Sequence, residues 1–113
     1  MFTYVSIGWN GYSAIVINEA LPISYEDLVS CVGGYIEGVY LNGATAYVNE
    51  EGKLQDLPRN EVATELAHAH NAIYTNDWIA GNMIIVGNGD DDGEMMTLEP
   101  EWINANLKEI TNV

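Results

Sequence analysis

Apolar and β-forming residues dominate FTYVSI (2–7) and YSAIVI (12–17), and the turn-forming GWNG (8–11) lies between them. A period of two puts successive side chains on opposite faces of a strand, so the two stretches predict an N-terminal hairpin. Pro22 ends it. Ser24, with Asp27 three residues on, reads as a helix N-cap with a variant capping box, Asp standing where Glu or Gln is usual. Leu28, Val29 and Val32 are its core-facing residues. Gly33-Gly34 stops it, because glycine readily takes the left-handed conformation past a helix end. YIEGVYL (35–41) and TAYVNE (45–50) read as two further strands about NGA (42–44). Tyr35, Glu37 and Val39 then fall on one face, and Ile36, Gly38 and Tyr40 on the other.

After a turn at EEG (50–52) and a loop at LPRN (57–60), the pattern changes period. Val62, Leu66, Ala69 and Ile73 form one apolar stripe at helical spacing, predicting a helix over 61–75 with Glu61, Glu65 and His68 on its outer face. Asn60 is in place to cap it. The stripe is expected to pack with Leu28, Val32, Ile84 and Val86. WIAGNMIIVG (78–87) reads as a buried strand whose glycine marks a bulge. NGDDDGEMMTLE (88–99) follows. A last helix over about 99–110 has Pro100 near its start, where a missing N–H costs little, and Trp102, Ile103, Leu107 and Ile110 as packing residues. The order ββαββαβα lacks regular βαβ alternation and predicts an α+β fold. We expect one small domain over 1–113, a mixed or antiparallel sheet of about five strands packed by three helices.

Charge changes this picture most. Seventeen Asp and Glu face three Lys and Arg, a formal net charge of −14. The three bases are Lys53, Arg59 and Lys108. Such a polyanion repels nucleic acid and anionic lipid, since phosphate binding requires Lys and Arg. Twelve asparagines and 18 % charged residues sit poorly with adaptation to extreme salt. The lone Cys31 excludes an internal disulfide and a cysteine-based zinc site. No apolar run reaches membrane-spanning length, and the N-terminal stretch lacks a basic head and cleavage site, so a cytoplasmic protein is expected.

LVSCVGGYIEGV (28–39), VNEEGKLQDLPRNEVAT (48–64), DWIAGNMIIVG (77–87) and DDDGEMMTL (90–98) together resemble, in order, the family called domain of unknown function 3846. The resemblance covers about residues 28–98 through a VGGYIE block, an NEEGK turn, an LPxN loop and a D-x-I-x-G strand. It implies an origin in phages, plasmids or integrated elements. It supplies no established activity and no catalytic residues. The family pattern usually has a base after LPxN, where this chain has Glu61, so any binding role of that base is altered here. The same glycines and Asn60 also serve as ordinary turn, bulge and cap residues.

Three constellations could carry chemistry. The first is a calcium loop, which needs acids at positions 1, 3, 5 and 12 and glycine at 6. Counting from Asn88 places Asp90, Asp92, Gly93 and Glu99 in register, with Glu94 nearby as a further oxygen donor. Position 1 is Asn instead of Asp, and the preceding element reads as a strand where the motif has a helix. The second is His68 and His70, which would share a face on a strand but sit about 200° apart on a helix. The third is Cys31 with a histidine, but a thiol between Ser30 and Val32 in an apolar helix reads as inert packing. No nucleophile elbow, phosphate loop or dinucleotide fingerprint occurs, and no cofactor is expected. Trp9 and Trp78 are the tryptophans with the strongest claim to the surface, although core packing is the expected role of each.

The sequence thus points to a non-enzymatic acidic binding protein of phage or mobile-element origin. Its partner would be a basic, nucleic-acid-handling host protein, which it could modulate or inhibit by imitating DNA. The partner-facing acids are Asp90, Asp91, Asp92, Glu94, Glu99 and Glu101, with Glu61 and Glu65 on the preceding helix. Two alternatives stay open: a calcium-binding regulatory domain using Asn88, Asp90, Asp92, Glu94 and Glu99, and an accessory domain whose acidity serves only solubility.

Overall fold

The structure is a computed structural model and describes residues 2–9, 13–20, 23–89 and 95–107. It is an α+β fold with three helices on an antiparallel sheet. In chain order the elements are β1 (Phe2–Trp9), β2 (Ser13–Ala20), α1 (Tyr25–Val32), β3 (Ile36–Leu41), β4 (Ala44–Asn49), α2 (Glu61–Ala69), β5 (Met83–Gly87) and α3 (Pro100–Asn106). The strands lie in the order β2-β1-β5-β4-β3. Val5 faces Ile85 across β1 and β5, and Ala46 faces Ile85 across β4 and β5. β5 therefore carries the centre of the sheet, and all five of its residues are buried. β2 extends the sheet beyond β1 by backbone pairing from Phe2–Ala20 to Trp9–Ser13.

The pleat sends side chains to both faces, and helices cover both. Val5, Ile7, Val39, Leu41, Ala46, Val48, Met83 and Ile85 share one cluster with Ala63, Leu66 and Ala67 of α2 and with Leu107, while Trp102 and Ile103 of α3 pack against it. Phe2, Ile84 and Val86 share the other with Ile23, Leu28 and Val32. Each fully buried side chain of Leu or Ile size contributes about 1.5–3 kcal/mol of transfer free energy. This corrects the expectation of one core joining Leu66 to Leu28, Val32, Ile84 and Val86: the sheet stands between them. Adjacent residues Ile84 and Ile85 belong to opposite cores because side chains alternate across a strand.

α1 begins at the predicted cap. The Ser24 hydroxyl accepts from the Asp27 N–H, and the Asp27 carboxylate accepts from the Ser24 N–H, both at 3.1 Å. Gly33 ends the helix at φ 81° and donates its N–H to the Val29 carbonyl at 2.8 Å. A Cβ at Gly33 would meet nothing within 4 Å. The requirement for glycine there is conformational and not steric.

α2 stops at Ala69, shorter than the predicted 61–75. Asn71 takes φ 54°, a left-handed conformation that asparagine tolerates, and the Ala72 N–H turns back to the Ala67 carbonyl. The buried face is Ala63, Leu66 and Ala67 with Thr64, whereas Ala69 is exposed and Ile73 packs from the following loop. The small side chains let this short helix lie close to the sheet. The predicted strand over 78–87 also shortens, to Met83–Gly87. Ahead of it Ala80 makes an isolated bridge with Arg59, and Gly81 stands at φ 88°. α3 ends at Asn106, and the predicted contribution of Ile110 lies outside the described residues. No described helix is long and apolar enough to cross a membrane.

Asn60 ties these layers together. Fully buried at the N-cap of α2, it accepts the Ala63 N–H on Oδ1 at 3.1 Å. Its Nδ2 donates to the carbonyls of Ile7 and Gly81, each at 2.9 Å. One side chain thus satisfies a helix end, a carbonyl of β1 and a carbonyl of the segment ahead of β5 in a place water does not reach. Beside it Thr64 Oγ1 accepts the Ile79 N–H at 2.9 Å, fixing the entry into β5.

Candidate functional site

The acidic segment leaves the sheet at Gly87 and returns beside it. The Gly87 N–H donates to the Met96 carbonyl at 2.8 Å, and the Leu98 N–H donates to the Thr3 carbonyl at 2.8 Å. The Thr3 N–H donates to Thr97 Oγ1 at 2.8 Å. A Cβ on Gly87 would overlap the Thr97 carbonyl oxygen, so the close approach of the two backbones requires glycine. Leu98 is buried in the core next to these bonds. The base of the acidic segment is therefore fixed at the end where β1 and β5 part, with Leu98 in the core shared with α2. Asp90, Asp91, Asp92 and Glu94 themselves lie outside the described residues.

Of the remaining predicted partner-facing acids, Glu61, Glu65, Glu99 and Glu101 are all exposed. Glu61 and Glu65 lie on the outer face of α2, and Glu99 and Glu101 lie at the start of α3, on the same side of the sheet. Glu99 makes no side-chain bond to the helix it precedes. Glu61 accepts from Arg59 Nε at 2.8 Å. Asn88, the first position of the calcium template, is already engaged: its Oδ1 accepts from Thr45 Oγ1 at 3.0 Å. Among the described residues no three His, Cys, Asp or Glu side chains converge as metal ligands.

His68 and His70 diverge, as a helical position for the pair predicts. His68 Nε2 donates to the Asp77 carbonyl at 2.9 Å. His70, at the C-cap of α2, turns to the β3–β4 turn, where its Nδ1 accepts the Asn42 N–H at 2.9 Å. The Asn42 carbonyl in turn accepts from Trp102 Nε1 at 2.7 Å, and the Trp102 ring stacks on His70 at 5.8 Å between centroids. Two rings from two helices thus hold one turn by both of its polar backbone atoms. This clamp is structural. Cys31 is half-buried against the α1 core.

A different surface collects the exposed aromatic and charged groups. Trp78, 38 % exposed, has Lys53 Nζ 4.2 Å and Arg59 Cζ 5.9 Å from its ring centroid. Lys53 also pairs with Asp77, whose carboxylate accepts the Trp78 N–H at 2.8 Å. The Lys53 hydrogen bond is the main cause holding the Asp77 carboxyl below its ordinary range, with the Trp78 N–H, the Lys53 charge and His68 adding to it against a smaller opposing effect of burial. Next to this cluster runs a groove of two adjoining cavities, about 410 and 370 Å³, with Glu37, Val39, Ile73 and Asp77 common to both. Leu54 and Tyr74, each 83 % exposed, stand at its borders. Glu50 and Glu51 line it from the turn after β4.

The sequence marked Trp78 as a candidate for the surface while favouring core packing for it, and did not assemble this groove, because its walls come from three separate segments of the chain, 37–39, 48–54 and 71–80. The NEEGK turn and the D-x-I-x-G segment supply two of them, and those blocks were the available sign. The Trp9 side chain lies outside the described residues. A family-wide sequence model described as Domain of unknown function (DUF3846) matches residues 12–111. No curated protein and no solved structure matches the chain.

Proposed function

This chain belongs to the DUF3846 family, and for this member we propose a non-enzymatic acidic binding domain for a basic, nucleic-acid-handling protein. One observation carries the reading. Both described cations are consumed locally, Lys53 on Asp77 and Trp78, Arg59 on Glu61 beside the same ring. The exposed acids at Glu65, Glu99 and Glu101, and the acidic segment rooted at Gly87, are left without a base to offset them among the described residues. Glu26 on α1 and Glu50 and Glu51 at the sheet edge are exposed too. Acids on both layers favour a broad attractive field over a single strand-like row. Fourteen charges in one row would span about 24 Å at the spacing of duplex DNA, about 1.7 Å per charge, whereas the described acids lie on more than one face of the domain. The expected action is electrostatic capture of a basic surface in a phage or mobile-element setting, in competition with nucleic acid.

The test is competition. Basic nucleic-acid-binding proteins of a bacterial host, bound to labelled duplex DNA, are titrated with the domain at 50 and 200 mM NaCl. Displacement of DNA from at least one, weakened by salt, is the expected result. The variant Asp90→Asn, Asp91→Asn, Asp92→Asn, Glu94→Gln should displace less, with slower association and a shallower salt dependence. Failure to displace DNA from any of them at 50 mM NaCl overturns the proposal.

A further inference from the structure

Among the described residues β3 is the terminal strand of the sheet and pairs with β4 alone. The Glu50 N–H donates to the Tyr35 carbonyl, and Leu41 faces Ala44 across the two-residue turn. In an antiparallel pair, bonded and non-bonded residues alternate. Tyr35, Glu37, Val39 and Leu41 therefore spend their backbone groups on β4, and Ile36, Gly38 and Tyr40 direct theirs outward. No backbone hydrogen bond runs from these three to the 71–74 segment across the groove. An unpaired edge is a template for another strand unless something blunts it. Here the usual protections are weak. No Lys, Arg or Pro occurs in β3, and its midpoint is Gly38, which carries no side chain of its own, the Tyr40 ring lying against it on the α1 face.

The side-chain chemistry beside this edge selects the kind of strand. Glu37 and Val39 point to the groove side, where Val39 joins the α2 core and Glu37 lines both cavities. Glu50, Glu51 and Asp77 add carboxylates, and the single base, Lys53, is already bonded to Asp77. Between them Ile73 and Trp78 offer apolar surface. A cationic side chain with a long aliphatic stem fits such a wall, laying its methylenes on the apolar floor and its head against the rim.

We propose that the free edge of β3 and the groove beside it bind an extended Lys- or Arg-bearing segment of a partner protein, added antiparallel as a further strand. Main-chain hydrogen bonds to Ile36, Gly38 and Tyr40 hold the segment, and alternate cationic side chains enter the groove. Directly opposite residues in an antiparallel pair put their side chains on one face. The residues bonded to Ile36, Gly38 and Tyr40 therefore face the α1 side, and the intervening ones, the cations, face Glu37. The inference rests on the basic-partner reading and adds to it a location and a geometry.

An eight-residue fluorescent peptide alternating Val and Arg is the probe, read by anisotropy and by amide shifts of the ¹⁵N-labelled domain. Binding should shift the Gly38 and Tyr40 amides and the Trp78 indole. N-methylation of the Val residues, which would sit opposite Ile36, Gly38 and Tyr40, should weaken binding at least tenfold, while N-methylation of the Arg residues leaves it within about twofold. Glu37→Arg, an exposed position, should weaken it at least fivefold with a melting temperature no lower than wild type, and the acidic-segment variant should change it less than Glu37→Arg does. If the two methylated peptides bind alike, or if the acidic-segment variant loses more than Glu37→Arg, the strand-addition site is overturned while charge-driven partner binding stands. Absence of any binding by the unmodified peptide at 50 mM NaCl overturns the site as well, and the DNA-displacement assay then decides the broader reading by itself.

Discussion

Asn60 shows how much one residue can be asked to do when it is buried and polar. Its amide nitrogen serves two carbonyls and its amide oxygen caps a helix. Truncation leaves at least three backbone groups without their partner in a dry site. Loss of a cap costs about 0.5–2 kcal/mol, and an unsatisfied buried polar group about 1–3. Asn60→Ala should therefore destabilise by about 2–4 kcal/mol in denaturant unfolding. Asn60→Asp separates the two roles. It keeps the cap acceptor but aims a carboxylate oxygen at the Ile7 and Gly81 carbonyls, so it should be at least as damaging at neutral pH as Ala. An Asp variant close to wild type would mean that the two carbonyl bonds contribute little and the cap alone matters.

At the scale of elements, the helix α2 separates what periodicity can tell from what it cannot. The stripe through Val62 and Leu66 marked a helix and one of its buried positions. Its continuation to Ala69 and Ile73 depended on the helix running on, and Asn71 breaks it at a left-handed φ of 54°. Leu66→Ala should cost about 2–5 kcal/mol, since it empties a fully buried site. Ala69→Glu should stay within about 0.5 kcal/mol, as expected for an exposed position. Equal losses at both positions would restore the longer stripe. Local features were legible for the same reason that α2 was partly so. The Ser24 cap, the Asn60 cap on Ala63 and the Gly33 stop act through bonds within a few residues, and short-range patterns encode them, whereas the Asn60 bonds to Ile7 and Gly81 are long-range and were not legible. Two further features were not legible. The separation of Leu66 from Ile84 by the sheet, and the groove that joins Glu37 to Trp78, depend on strand order, which no local pattern specifies. The acidic segment was conspicuous in sequence, yet the chain alone gave no hint that Thr3 and Gly87 would fix its base.

The whole molecule is a strongly charged body of about 33 × 30 × 24 Å, and its size relative to salt screening sets its stability. The screening length is about 30 Å at 0.01 M salt and about 10 Å at 0.1 M. At the lower value every carboxylate senses those on the far side of the domain; at the higher one only its neighbours. With net charge −14, self-repulsion opposes the compact state, so salt should stabilise it. The opposing effect is small. Salt also weakens the Lys53–Asp77 and Arg59–Glu61 pairs, but exposed pairs contribute at most about 1 kcal/mol each. The melting temperature of the wild type should therefore rise between 0.01 and 0.2 M NaCl. The variant neutralised at Asp90, Asp91, Asp92 and Glu94 should melt higher than wild type in low salt and gain less from added salt. Calcium supplies the control that separates screening from coordination. At matched ionic strength CaCl2 should raise the melting temperature no more than NaCl does. A calcium loop predicts instead an additional rise at millimolar calcium, about 2.7 kcal/mol of stability at one hundred times the dissociation constant, which the neutralised variant would lose. That pattern would replace the charge-field reading of the acidic segment with the cation-binding one.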